Sequence, residues 1–347
     1  MAAPQILVTR RIPEPGLEIL RPSGARVRVL HDDEETGPRH DELLEAARSC
    51  DVLIAILTEK IDRQVLAANP ALLGVANMAV GYDNVDLAAA TALGIPVTNT
   101  PGVLDDTTAD LTWAMLMAAA RRIPEAHQYT VEGRFRIWGP NLFVGADISP
   151  GGSGRPKVLG IVGYGRIGAA VARRATGFEM TILAFDPYKR PAIEADARVA
   201  WADLPELLAA SDFVTLHTPL VPETHHLIGE AELRAMKPTA YLINAARGPV
   251  VDEQALVRAL SEQWIAGAAL DVYENEPELA PGLAQLPNVV LLPHIGSASR
   301  DTRGKMAAMA ATNALAHLRG ERAPHIVNPE VYDTDAYRRR VAGTGQP

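Results

Sequence analysis

Short apolar or period-two runs alternate with helix-patterned segments along nearly the whole chain, and few folds accommodate that alternation. QILVT (5–9), ARVRVL (25–30), DVLIAIL (51–57), LLGVANMAV (72–80) and IPVTNTP (95–101) read as strands. A run such as DVLIAIL must be covered on both faces, which calls for a parallel sheet with helices front and back. Between the runs, EPGLEIL opens a helix with Pro15 in its first turn, and DELLEAAR has amphipathic spacing. A second series follows, with KVLGIV, TILAF, DFVTLH, AYLINA, IAGAAL and VVLLP as candidate strands. The Gly/Pro/Ser stretch SPGGSGRP (149–156) is read as the loop that separates two units. From Asp105 to about Arg122 one long helix is predicted, either a core helix or one that partly faces a second subunit. A last helix, about Ser299 to Arg319, returns the chain toward its start.

Size and charge narrow the function. The 347 residues suit about two domains. With 48% hydrophobic and 22% charged residues, the chain can bury enough apolar surface to exclude wholesale disorder. The formal net charge of −9 argues against a nucleic-acid partner, which would favour a basic surface. Cys50 is the one thiol, so no intrachain disulfide and no cysteine-based zinc site can form. The start, MAAPQILVTRRIPEPG, lacks the pattern of a secretory signal, and the apolar stretch Leu111–Ala120 is far shorter than the roughly 20 residues that span a bilayer. A cytoplasmic protein without a membrane partner is expected. His217, His225 and His226 have no acidic cluster nearby at ligand spacing, so they read as loop or packing residues and no metal is expected. Arg338, Arg339 and Arg340 read as a solvated or locally docked tail.

The segment KVLGIVGYGRIGAAVARRA joins a strand to a helix through Gly163, Gly165 and Gly168 in G-x-G-x-x-G spacing. Three glycines alone say little; between a strand and a helix they describe a phosphate-binding turn. Gly163 would allow the tight turn, Gly165 the approach of a pyrophosphate, and Gly168 close packing of helix on strand. Arg166 and Ile167 would donate their backbone N–H groups at the positive end of the helix. Asp186 ends the following strand, where a carboxylate can accept from both ribose hydroxyls and repels a 2′-phosphate. NAD(H) is therefore expected in preference to NADP(H), although Lys189 and Arg190 lie close enough to weaken the preference. The alternative for Asp186 is a strand-end turn former.

At NAARG, DVYENEP and PHIGSAS the chain resembles the D-2-hydroxyacid dehydrogenases, with a pattern most like the glyoxylate/hydroxypyruvate reductases. Similar segments run from ILVTRRIPEPG through ANMAVGYDNVD and GIPVTNTPGVLDDTTADL to LLPHIGSAS, in the family's order. The resemblance implies two doubly wound α/β domains with a cleft between them. A Rossmann nucleotide domain (102–298) would be inserted into a discontinuous, flavodoxin-like substrate domain (1–101 and 299–347). It also implies a catalytic set of Arg247, Glu276 and His294. These residue types suit hydride reduction of a 2-keto acid. An imidazolium can give a proton to the carbonyl oxygen and take it back in reverse. A glutamate on its other nitrogen orients the ring and favours the charged form. A guanidinium presents paired donors to the substrate's carboxylate and carbonyl oxygens.

Further positions follow from the resemblance alone. Thr108, Thr218, Pro219, Ala245 and Gly296 match cofactor contacts, and Asp271 matches the acceptor for the nicotinamide amide. The backbone N–H groups of Val80 and Gly81 would bind the substrate carboxylate, with Gly81 supplying conformational freedom, and Leu57 would be a small apolar contact. Trp138 resembles an aromatic that crosses into a neighbouring subunit's site and restricts it to short substrates; ordinary dimer packing is its alternative. A homodimer through the nucleotide domain is implied. SPGGSGRP is longer than the usual link, and Pro249 after the catalytic RG departs from many relatives. The expected reaction is NADH-linked reduction of glyoxylate or hydroxypyruvate to the D-hydroxy acid. Another 2-hydroxy acid (3-phosphoglycerate, 2-ketogluconate), phosphite, or an NAD-sensing corepressor role are the alternatives.

Overall fold

In a computed structural model of the chain, residues 3–33 and 35–342 are described. The chain forms two compact units: one contains the residues up to Leu104 and again those from Ala298 onward, the other runs from Asp105 to Ser297.

In the first unit β1 (Gln5–Arg10), β2 (Arg26–His31), β3 (Val52–Ala55), β4 (Gly74–Asn77) and β5 (Val97–Thr98) lie in the order β2-β1-β3-β4-β5, every neighbouring pair parallel. This is the flavodoxin-like order. The apolar run DVLIAIL is longer than the strand it makes. Its end leaves the ladder because the Glu59 carboxylate folds back to accept the Ile56 N–H and the Thr9 hydroxyl, both at 2.7 Å. The helix Arg300–Leu318 returns the chain to this sheet, packing on β3 and β4 and against the helix Glu14–Leu20. Those approaches need glycine: a Cβ on Gly16 would lie 2.7 Å from the Ala307 carbonyl oxygen, and one on Gly74 would strike the His317 ring. The late arginines lie on a further helix, Asp335–Ala342, and Arg340 is docked, donating to the carbonyls of Leu72 (2.7 Å), Pro70 (2.8 Å) and Leu93 (2.8 Å).

The second unit holds β6 (Val158–Val162), β7 (Thr181–Phe185), β8 (Val199–Trp201), β9 (Phe213–Leu216), β10 (Tyr241–Asn244), β11 (Gly267–Leu270) and β12 (Val289–Leu291). Their order is β12-β11-β10-β9-β6-β7-β8, again all parallel. The chain runs outward from β6 to the edge, then crosses back to place β9 on the other side of β6, which is the doubly wound switch. β8 was not expected from the apolar runs; it is a three-residue edge strand with one exposed position, too short for a pattern.

SPGGSGRP does not separate the units. It lies inside the second one, because the chain has already joined that core: the helix Asp105–Ala120 packs on β10, β11 and β12 and on the helix Arg166–Ala175. Trp113 of that helix is buried, stacks on Phe178 with centroids 4.6 Å apart, and donates its indole N–H to the Val171 carbonyl at 3.2 Å. The core reading of this helix holds. It ends because Arg122 takes a left-handed backbone (φ 53°) and a new helix, Ile123–Val131, starts with proline in its first turn. Among the described residues no helix is long and apolar enough to cross a membrane.

Candidate active site

The expected functional residues of the second unit lie just past the carboxyl ends of its strands, where doubly wound sheets bind ligands. Gly163 follows β6, Asp186 follows β7, Ala245 follows β10 and Asp271 follows β11, while Thr218 and His294 lie slightly beyond β9 and β12. Gly163 has φ 96°, and a Cβ there would come within 2.8 Å of the backbone at His217 and Thr218, the loop after β9. Gly168 presses against the Gly163 carbonyl, so any side chain there would collide with it. Gly165 has open space where a Cβ would go, and no side chain caps the helix Arg166–Ala175 that starts after it. The three glycines thus meet three different demands, and the open one faces the uncapped helix N-terminus. The Thr218 hydroxyl is buried without a hydrogen-bond partner among the described residues, as a group awaiting a ligand would be.

The Asp186 carboxylate accepts from the N–H of Tyr164 and of Tyr188, each at 2.9 Å. It is therefore a turn former as well as a candidate ribose acceptor; two carboxylate oxygens have room for both. Tyr164 is anchored at its far end too, donating its hydroxyl to Asp196 at 2.8 Å. Burial, helped by Asp196, pushes that phenol up to about 12, and the Arg198 guanidinium holds Asp196 well below the usual carboxylate range. Neither Asp196 nor Arg198 was anticipated, since neither belongs to the glycine pattern.

His294 sits on a left-handed backbone (φ 54°), uncommon for a non-glycine residue. Two carboxylates hold it there. Asp271 accepts the next two N–H groups, those of Ile295 and Gly296, both at 2.7 Å. Glu276 Oε2 lies 2.8 Å from His294 Nδ1, and its other oxygen accepts the Tyr273 N–H at 3.0 Å. Burial alone would raise the Glu276 pKa. The His294 hydrogen bond and charge, the Tyr273 N–H and the Arg247 charge outweigh it, so the carboxylate titrates below its ordinary range. An ionised Glu276 is an acceptor only, so Nδ1 carries the proton, while Nε2 makes no hydrogen bond to protein among the described residues. Asp271 behaves oppositely: burial raises its pKa against the two amides and His294. The sequence suggested Asp271 as an acceptor for a cofactor amide; in the structure both its oxygens already shape the His294 loop. Thr108 joins this cluster by donating to the Gly296 carbonyl at 3.2 Å.

Arg247 follows β10 on an extended backbone (φ −144°, ψ 139°) and donates through Nη1 to the Ala246 carbonyl at 2.8 Å. Its loop is fixed by Asn244, the buried last residue of β10, which accepts from Ala246 N–H (3.0 Å) and donates to the Arg247 carbonyl (2.9 Å). Asn244 was missed by sequence reasoning, although a polar residue ending an apolar strand is the signal that could have found it.

In the first unit Leu57 lies after β3, and Val80 and Gly81 after β4. Three successive carbonyls of this last loop are held from inside: Ala79 by the Thr100 N–H (2.8 Å), Val80 by Asn99 Nδ2 (2.8 Å) and Gly81 by Asn77 Nδ2 (3.0 Å). In a trans peptide the C=O and N–H point opposite ways. Pinning these carbonyls therefore turns the N–H groups of Val80, Gly81 and Tyr82 outward, and among the described residues they donate to no protein acceptor. Gly81 achieves this without a left-handed backbone, so the conformational freedom expected of it is unused. Asn84 ties the Leu57 loop to the same network, donating to the carbonyls of Ile56 and Glu59 at 3.1 Å and facing Asn77.

Trp138 is 74% exposed, and Phe135, Ile137 and Val144 of the same stretch of sequence are exposed as well. His217 is a half-buried packing residue, bonded through Nε2 to the Thr215 hydroxyl at 2.9 Å, and the burial of its ring pushes its pKa down to about 3. His226 is different: the fold brings Glu274 Oε1 to 2.8 Å from its Nε2, the acidic neighbour that the sequence did not reveal.

Residues 113–296 match the family described as D-isomer specific 2-hydroxyacid dehydrogenase, NAD binding domain. Over 331 residues the chain is 50% identical to a glyoxylate reductase of Korarchaeum cryptofilum (strain OPF8), covering 94% of this chain and 97% of the relative. Among solved structures, a protein of Thermus thermophilus matches with TM-score 0.84 and 43% identity, covering 93% of this chain and 99% of that one. An NADPH-dependent glyoxylate/hydroxypyruvate reductase of Sinorhizobium meliloti, solved with NADP and malonate, matches with TM-score 0.78 and 33% identity, covering 94% and 98%.

Proposed function

The chain belongs to the D-isomer-specific 2-hydroxyacid dehydrogenases and is an oxidoreductase; from that premise we propose that it reduces a short 2-keto acid with NADH, glyoxylate to glycolate or hydroxypyruvate to the D-hydroxy acid. The observation that carries the reading is the Glu276–His294 pair, at 2.8 Å, on the same strand-end face as Arg247 and the glycine turn. The glycine turn and Asp186 would hold a nicotinamide cofactor, which in its reduced form would supply the hydride. His294 then delivers a proton from Nε2 to the carbonyl oxygen, while Glu276 holds Nδ1 and balances the imidazolium. Arg247 pairs with the substrate's carboxylate and polarises its carbonyl. The outward amides of Val80 and Gly81 are assigned to a carboxylate of the substrate, and Leu57 to a small apolar contact.

The carboxylate assignment is supported by the held carbonyls, and it can be checked through them. Asn77→Ala and Asn99→Ala each remove a buried donor, a loss of about 1–3 kcal/mol. KM for the keto acid is expected to rise on the order of tenfold, while the dissociation constant for NADH stays as in the wild type. An unchanged KM in both variants would remove this loop from the substrate site.

The preference for NAD(H) is supported by Asp186 and by the commitment of Arg190 elsewhere, in an ion pair with Glu194 (2.8 Å) and over the Trp201 ring (4.0 Å). The NADPH-dependent Sinorhizobium relative makes this the finer point to test. Asp186→Ala is expected to lower kcat/KM for NADH about tenfold, in line with loss of charged hydrogen bonds, and to narrow the gap to NADPH. A wild-type enzyme that already favours NADPH would refute the assignment.

A homodimer through the second unit accords with the exposed apolar stretch that carries Ile137 (82% exposed) and Trp138. On that reading Trp138 serves the neighbouring copy's site.

A further inference from the structure

His225 and His226 are adjacent, and in an extended chain adjacent side chains point to opposite sides. Here they do not. His225 is extended (φ −65°, ψ 123°), but His226 takes a left-handed backbone (φ 51°), which swings its ring alongside the first. The ring centroids are 4.0 Å apart at a 31° tilt. The turn is held in place by the His226 N–H on the Pro249 carbonyl at 2.8 Å and the Ile228 N–H on the Val250 carbonyl at 3.0 Å. Opposite both rings lies Glu274, whose Oε1 is 2.8 Å from His226 Nε2. Its backbone is fixed in turn, the N–H donating to Glu253 Oε1 at 2.6 Å.

One ligand atom from each of His225, His226 and Glu274 falls within 4.8 Å of the other two, the one such triple among the described residues. We propose that these three residues form a binding site for a divalent transition-metal ion of the zinc class. Two imidazole nitrogens and a carboxylate oxygen are ligands that Zn²⁺ and Ni²⁺ accept and that Mg²⁺ and Ca²⁺ disfavour, with water completing the shell. The site is partly solvent-accessible, with the His226 and Glu274 side chains 36% and 25% exposed, so an ion can enter.

The ligands come from segments that also carry the chemistry. The histidine turn is bonded to the stretch just after Arg247, and Glu274 lies two residues before Glu276. A metal ion must replace the proton shared by His226 and Glu274, tying both segments together. Slower turnover with metal bound follows; this consequence rests on the proposed reaction, whereas the binding does not.

The test is calorimetric titration of chelator-treated protein with Zn²⁺, beside His225→Ala and Glu274→Gln, with NADH-dependent turnover measured in parallel. One Zn²⁺ per chain is expected, weakened at least about tenfold in each variant and unaffected by Mg²⁺. His225 is exposed, so its variant should fold normally, and Zn²⁺ should slow the wild type reversibly but not this variant. No binding at micromolar Zn²⁺, or equal binding by wild type and both variants, overturns the site. Stoichiometric binding that leaves turnover unchanged overturns only the kinetic consequence.

Discussion

His294→Ala is expected to lower kcat for the keto acid by about 10³-fold, within the range that a positioned general acid contributes. NADH affinity should change little, because the glycine turn and Asp186 are untouched. The geometry gives the reason for so large a loss. The imidazole is held at Nδ1 by Glu276, and its backbone is kept in a left-handed turn by Asp271 through two N–H groups. With the ring's orientation fixed from both ends, alanine leaves a gap that bulk water fills poorly. Glu276→Gln should do partial damage, since an amide can still accept from Nδ1–H but cannot balance the charge. A kcat for His294→Ala within tenfold of wild type would show that the proton comes from elsewhere.

Arg247→Lys should cost nearly as much, on the order of 10²–10³ in kcat/KM for the keto acid, or about 3–4 kcal/mol of transition-state stabilisation. The substitution keeps the charge and removes the fork, so it isolates geometry from electrostatics. The loop itself should survive, because Asn244 holds its backbone through Ala246 N–H and the Arg247 carbonyl, neither of which involves the substituted side chain. Thermal unfolding close to wild type would confirm that folding is intact. If lysine restores more than about a tenth of the activity, paired hydrogen bonds are not what this position supplies.

What the sequence disclosed and what it hid divide along one physical line. Inner strands leave apolar runs and the edge strand β2 an alternating one, so all eleven expected segments appear as strands, while β8, three residues at a sheet edge, leaves no pattern. The glycine turn was legible because Gly163 and Gly168 meet local steric demands, while Gly165 leaves open the space before the helix N-terminus. SPGGSGRP misled because loop composition marks flexibility, and says nothing about which core the preceding helix has joined. Residues that act on a loop from a distance were invisible. Asn77 and Asn99 hold carbonyls of the Val80 loop from neighbouring strand ends, and Asp196 holds Tyr164 from beyond β7. Glu274 reaches His226 only through tertiary folding. Pairings of this kind have no spacing rule, so only the fold reveals them.

In the proposed reaction a hydride passes from the nicotinamide to the carbonyl carbon of a short 2-keto acid. This transfer is tested most directly by a turnover with NADH carrying deuterium at the transferred position and glyoxylate as acceptor. NADH consumption is expected to be matched by glycolate that carries the deuterium at its hydroxyl-bearing carbon, with loss of both in Arg247→Lys and His294→Ala. Tight NADH binding with no consumption against glyoxylate, hydroxypyruvate or any other short 2-keto acid would contradict it.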